Sequence, residues 1–293
     1  MPLEALQEAS AGSADLGDRA AGVPCGCGDP HPPAAVDDPR ARTYADAEQR
    51  LGRKLHPGER HIDIEGYDRD LALGKARLHR AIEAERNRAI KLHLAGRAGW
   101  RMRVTEEMVL ALEALYRAGE RHARAEMKSM GYPTSYAERP RVGKLFRALL
   151  THLASMLGGI GFRIQREAPV LKAQLDAGNL KTDVTSISGL QNVLFKAMEK
   201  RVPGSLDVAS RLVSSAIAQG LGDTYREIAL DAPCWVYTAV MDGATCASCK
   251  ALDGSVYDTW DEIMVVLPGG GPNPKCLGDG RCRCRVVPCP PGR

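Results

Sequence analysis

Between Tyr67 and Gly96 the chain contains no proline, and Leu71, Leu78, Ile82 and Ala89 recur at steps of seven, four and seven. That spacing keeps one face of a helix apolar and predicts a long helix over this stretch. A second helix is expected from about Val104. Thr105 is placed to cap it, and Glu106 and Glu107 set negative charge against its positive start. Met108, Leu112, Leu115, Ala123, Met127 and Met130 are expected to line its buried face until Gly131-Tyr132-Pro133 ends it. A third helical stretch runs from Val142 to Leu157 and is expected to close at Gly158-Gly159. Ser188-Gly189-Leu190-Gln191 has the form of a capping box opening a helix to Lys200. Pro203-Gly204-Ser205 then stops that helix and caps another, whose Leu206, Ala209, Val213, Ala216 and Ile217 should face inward.

After Pro233 the pattern changes. Cys234 to Val240 is β-branched and aromatic, as a strand should be, Ser255-Val256-Tyr257 follows an Asp253-Gly254 turn, and Arg283 to Val287 is a third strand candidate. The expected fold class is therefore α+β: a mainly helical body with a small C-terminal β-containing, cysteine-rich, metal-bound domain. Residues 1–42 mix Ala, Gly, Asp and Pro without a period and read as a flexible arm. Residues 43–179 read as a helical domain and 180–293 as the terminal domain. Within the arm, Cys25, Cys27 and His31 offer ligand atoms, but in a Gly/Pro segment they read as incidental.

Composition narrows the class without naming it. Of 293 residues, 44% are hydrophobic and 26% charged, which suits a folded protein rather than a disordered one. Aromatics are only 5%, so aliphatic residues must fill the core, and that favours helices. No stretch approaches the roughly 18 apolar residues that cross a bilayer. Glu4 and Glu8 stand where a signal peptide would be basic and then apolar, so the chain is expected to stay on the cytoplasmic side.

The cysteines carry more information. Seven of the nine fall in the last sixty residues, and in a cytoplasmic chain they suggest a metal site rather than a disulfide framework. Cys246-Ala247-Ser248-Cys249 is a C-x2-C pair, and Cys276, Cys282 and Cys284 return about thirty residues later. Zinc takes four soft ligands in a tetrahedron, two from one turn and two from another. Cys246 and Cys249 form the first pair. Cys276 with Cys282 is the preferred second pair, because Cys276-Leu277-Gly278 places a glycine where a metal knuckle turns back toward its ligand, and Cys284 is the alternative ligand. Cys234 and Cys289 are expected to lie outside the shell. All seven histidines lie between His31 and His152, and no Glu adjoins the cysteines. A closed thiolate shell follows, with one structural zinc per chain and no catalytic residues.

Trp235 through Met241, Asp242, Thr245-Cys246-Ala247-Ser248-Cys249, Leu252-Asp253-Gly254, a Pro/Gly loop and Cys282-Arg283-Cys284 together resemble a known signature. It is that of the phage head-morphogenesis, or minor capsid, proteins of the Mu F-like type. The likeness spans roughly residues 180 to 288. One departure stands out: where the family has a Pro-x-His step three residues before Cys-Arg-Cys, this chain has Asp279, and Cys276 is placed to substitute for the histidine. Asp279 is a weaker candidate. The resemblance implies a virion protein of the portal vertex, present in the host cytoplasm during assembly, with the portal protein and capsid or scaffold proteins as partners and packaged DNA as a further one.

The net charge of +4 does not by itself argue for a nucleic-acid partner. Residues 66 to 103 nonetheless hold ten Lys or Arg against four acids, and Arg77, Arg80, Arg88 and Lys91 share one helical stripe. A solvated face or a dock for an acidic protein surface is the favoured reading of it. The rival function is a zinc-ribbon nucleic-acid-binding protein using that helix on phosphates. An enzyme or toxin is less well supported, since no nucleophile elbow, P-loop or H-E-x-x-H is present.

Overall fold

The computed structural model describes residues 44–133, 144–179, 187–202, 205–229, 231–240, 245–267, 273, 275–276 and 283–291. The arm, with Cys25, Cys27 and His31, lies outside these residues, as does Cys282. The fold is α+β and mainly helical, as the sequence pattern predicts. Its helices are α1 (Tyr44–Leu51), α2 (Ile64–Leu94), α3 (Glu106–Ser129), α4 (Lys144–Asp176), α5 (Ile187–Arg201), α6 (Ser205–Ile228), α7 (Ala247–Lys250) and α8 (Trp260–Val266), with a 3-10 turn at Pro57–His61. Strands β1 (Trp235–Thr238), β2 (Val256–Tyr257) and β3 (Arg285–Pro288) form one antiparallel sheet in the order β2-β1-β3.

The periodic stripes are buried as the spacing requires. Leu78, Ile82 and Ala89 of α2 are fully buried and Leu71 nearly so, and all six residues assigned to the inner face of α3 are buried. Gly131 ends α3 with a positive φ of 92°, a conformation that costs glycine nothing.

Three expectations are corrected. Helix α4 does not close at Gly158-Gly159 but continues to Asp176, because Ile160, Ile164, Ala168 and Leu171 extend its buried stripe past the glycines. Each interior glycine costs only about 1 kcal/mol of helix propensity, less than burying those side chains contributes. Leu206 does not face inward. It is 45% exposed in the first turn of α6, whereas Ala209, Val213, Ala216 and Ile217 are buried. Ser188 also falls inside the first turn of α5 rather than ahead of it.

The chain forms two compact units, each drawn from separate segments. Among described residues the first comprises 76–109, 150–179, 187–202 and 205–209. Its interior holds Leu78, Ile82 and Ala89 of the α2 stripe, the long stripe of α4, Met198 of α5 and Val202. Buried Arg86 reaches the carbonyl of Val202 at 3.4 Å, and buried Glu85 accepts from the Arg103 amide at 2.8 Å while pairing with Arg88.

The second unit holds the remaining described residues, including the sheet. Here α3 and α6 approach backbone to backbone. A Cβ at Gly220 would collide with the carbonyl oxygen of Tyr116, and one at Gly119 with that of Ile217. Tyr116 donates to Asp223 at 2.6 Å beside this crossing. Gly220→Ala should therefore destabilise by about 1–3 kcal/mol, the usual cost of overpacking. Gly158→Ala, which meets open space in mid-helix, should stabilise by up to about 1 kcal/mol. Thermal denaturation of the two variants side by side checks the opposite signs.

Candidate metal centre

Strand β1 pairs on one side with β2 (Trp235 with Tyr257, Val236 with Val256) and on the other with β3 (Trp235 with Pro288 through Thr238 with Arg285). Trp235 is buried against Trp260 of α8 in an edge-on contact at 4.7 Å between ring centroids. The Asp253-Gly254 turn is tied to β1 by the Gly254 amide, which donates to the Tyr237 carbonyl at 2.8 Å, and by Asp253, which accepts from the Ala239 amide at 2.8 Å.

Arg53 fixes the same turn from a distant point in the chain. Its guanidinium forms paired bonds of 2.8–2.9 Å to Asp253 and of 2.8 Å to Glu59, whose carboxylate is fully buried in the 3-10 turn. Burial opposes the charge of Glu59, but Arg53, Thr238 and the His56 amide together hold its pKa below the usual carboxylate range. A planar fork between two carboxylates is arginine geometry, which lysine cannot supply.

On this frame the C-x2-C segment folds as a single turn of helix. Cys246 caps α7, its carbonyl accepts from the Lys250 amide at 2.8 Å, and Cys249 is buried inside the turn. A second loop brings Cys276 opposite. The sulfur atoms of Cys246, Cys249 and Cys276 all lie within 4.8 Å of one another, with 3.7 Å between Cys246 and Cys276. Zinc–sulfur bonds of about 2.3 Å in a tetrahedron place neighbouring sulfurs about 3.8 Å apart, so this spacing fits a soft metal ion. The group can hold a metal ion.

Asn273 organises the approach of the two loops, and sequence reading passed over it. Its side-chain amide nitrogen donates to the Ser248 carbonyl at 3.2 Å and lies 3.8 Å from the Cys249 sulfur. Its side-chain oxygen accepts from the Lys275 amide, and its backbone carbonyl from the Cys276 amide. Ser248 Oγ completes the clasp on the Lys275 carbonyl at 2.8 Å and lies 3.4 Å from the Cys246 sulfur. A donor directed at thiolate sulfur, as the Asn273 amide is at Cys249, orients it and stabilises its charge, as outer partners do at metal sites. An Asn ahead of a Pro in a Gly-rich loop reads only as a turn residue, so its spacing carried no signal of this role.

Of the other cysteines, Cys284 is buried at the entry to β3 and does not join the group of three. Cys234 and Cys289 lie outside it too, as expected, but where the cysteine pattern suggests a metal site rather than a disulfide framework these two are bonded to each other. The sheet register dictates this, since Trp235 faces Pro288 and the next residues outward are these two cysteines. His56 Nε2 stands 3.8 Å from the Cys289 sulfur.

The basic stripe of α2 is exposed at all four positions, with Arg88 engaged by Glu85 and Lys91 over the Phe195 ring at 5.7 Å. Among the described residues no helix is long and apolar enough to cross a membrane. Neither a protein-family model, nor a curated protein, nor a solved structure matches this chain.

Proposed function

We propose that this chain is a phage minor capsid protein acting in head morphogenesis at the portal vertex, with a terminal region clamped by one structural zinc ion. The observation that carries the reading is the juxtaposition of Cys246, Cys249 and Cys276 within the loops of the small sheet, at sulfur spacings suited to zinc. Cys246 and Cys249 belong to the signature on which the resemblance to the Mu F-like proteins rests, and Cys276 is placed to substitute for its histidine. Cys246, Cys249 and Cys276 would hold the ion, with Cys282 as the fourth ligand. Such an ion cross-links loops that otherwise share little apolar core.

With four thiolates no coordination position is left open for substrate, so the role is architectural rather than enzymatic. The partners that suit it are the portal protein and the capsid or scaffold proteins. The α2 stripe supports a protein dock over a DNA grip. With Arg88 committed to Glu85, one of the four stripe cations is already set against an acid, which weakens the phosphate neutralisation that drives sequence-independent binding.

Quantitative mass spectrometry of procapsids and virions from the source phage or prophage tests the proposal. A few copies per particle, crosslinked to the portal protein, are expected. Absence from both particles would discard the head-morphogenesis reading and favour a zinc-ribbon nucleic-acid binder, recognised by salt-sensitive DNA affinity of the purified chain.

A further inference from the structure

Cys234 precedes β1 and Cys289 follows β3, so their bond closes the end of the central strand pair, where the Cys289 amide also donates to the Cys234 carbonyl at 2.8 Å. The two sulfurs differ in surroundings. Cys234 is half-buried, whereas Cys289 is 3% exposed and its carbonyl is held by the Tyr132 hydroxyl at 2.6 Å. An incoming nucleophile therefore reaches the Cys234 side.

The Cys289 side carries His56. This residue caps the 3-10 turn: its backbone amide donates to Glu59 Oε2 at 2.6 Å, and its Nδ1 accepts from the Gly58 amide at 3.3 Å. A ring whose Nδ1 accepts a hydrogen bond carries its proton on Nε2 when neutral. Burial keeps the ring below the ordinary imidazole range, reinforced by Arg53 and opposed by Glu59. An N–H is thus aimed at the sulfur of Cys289 from 3.8 Å.

We infer that Cys234, Cys289 and His56 form a thiol–disulfide exchange site that accepts electrons from dithiols. A reductant thiolate attacks Cys234 Sγ and bonds to it. The Cys234–Cys289 bond breaks, and its electron pair leaves on Cys289 Sγ as a thiolate that accepts the hydrogen bond from His56 Nε2. The second thiol of the reductant, deprotonated, then attacks its own sulfur in the mixed disulfide. Cys234 is released as a thiolate and takes a proton from water, and the reductant departs as a disulfide. Two electrons pass to the protein. A stabilised leaving thiolate speeds such exchange and favours the reduced pair. The bond spans a sequence separation of 55 residues, and the enclosed segment contains Cys246, Cys249 and Cys276. Opening it frees the ends of the loop that holds the thiol group.

The test uses the full chain purified without reductant. Alkylation and peptide mapping should find Cys234 and Cys289 linked; recovery of both as alkylated thiols overturns the inference. Reduction by dithiothreitol is then followed by quenched alkylation in the parent and in His56→Asn, which keeps an acceptor for the Gly58 amide but withdraws the donor from Cys289. The variant should reduce several-fold more slowly. In dithiothreitol redox buffers its equilibrium should shift about tenfold toward the disulfide, or about 30 mV. A merely loosened domain would expose the bond and speed its reduction, so an equal or faster rate in the variant overturns the role of His56.

Discussion

Changing Cys246 and Cys249 together to serine is expected to release about one metal ion per chain and to unfold the α7 turn. A serine hydroxyl is a hard and far weaker donor than thiolate, and two such changes leave at most half a tetrahedral shell. The structural consequence falls on the α7 turn, because little else holds it, whereas the Asp253-Gly254 turn and α8 keep their ties to Arg53, β1 and Trp235. Structural zinc in small domains contributes roughly 10–16 kcal/mol of apparent binding free energy at neutral pH, most of it realised as folding. Here α7 is a single turn, and Cys249 is its only buried residue. The clasp of Asn273 and Ser248 is made of hydrogen bonds that net about 1 kcal/mol each. Those bonds can position thiolates but cannot replace a bound ion. Metal analysis by mass spectrometry, with limited proteolysis to find new cleavage in the α7 turn, reads both effects. Single changes sharpen the assignment: Cys276→Ser should lose the ion, whereas Cys284→Ser should keep it, since the mutually close group is Cys246, Cys249 and Cys276. Full metal content in the double variant would sink the ligand pair.

The reach of the sequence differed between fold and site for physical reasons. A helix stripe is a local pattern repeated many times, so α2 and α3 were readable from Leu71 to Met130. The glycines of α4 misled because a helix end is decided by whether the next turn is buried, and Ile160 and Ile164 supply that burial beyond them. Leu206 has the right spacing but stands at an element's first turn, where period no longer guarantees a neighbour. Cys246 and Cys249 announced themselves by spacing, and Cys276 by its return in a Gly/Pro loop. Asn273, Arg53 and His56 did not, because each acts on a partner far along the chain. Asn273 meets Cys249 across 24 positions, Arg53 meets Asp253 across 200 and His56 meets Cys289 across 233. Nothing periodic marks such pairs. The disulfide was legible only through the register of β1 with β3, which follows once the strands are paired.

Glu126→Ala is expected to cost about 3–5 kcal/mol, because it leaves the guanidinium of Arg285 charged and buried with no counter-ion. The pair lies in the second unit, 3% and 2% exposed, with Arg285 Nη2 2.8 Å from Glu126 Oε1 and the arginine stacked 5.4 Å from the Tyr67 ring centroid. The Tyr225 hydroxyl donates to the other carboxylate oxygen, and burial pushes the pKa of that hydroxyl well up, so it stays a donor. Burial works against the charge of Arg285 too, yet Glu126, with Tyr225 and Tyr67, more than offsets it, and the pKa stays above the ordinary guanidinium value. The arrangement is not ideal: among the described residues Arg285 Nε and Nη1 meet no hydrogen-bond partner. Replacing both partners, as Glu126→Leu with Arg285→Met, should therefore cost far less than the sum of the single changes, with Tyr225 losing one acceptor at about 1–3 kcal/mol. Denaturant titration of the two singles and the double measures the coupling. Additive losses would mean that the pair does not act as a unit. The location gives the result a second readout, since β3 runs from Arg285 to Pro288 and leads straight into Cys289. Loosening Arg285 should free that strand end and make the Cys234–Cys289 bond react faster with dithiothreitol, the opposite of the slowing expected when His56 is changed.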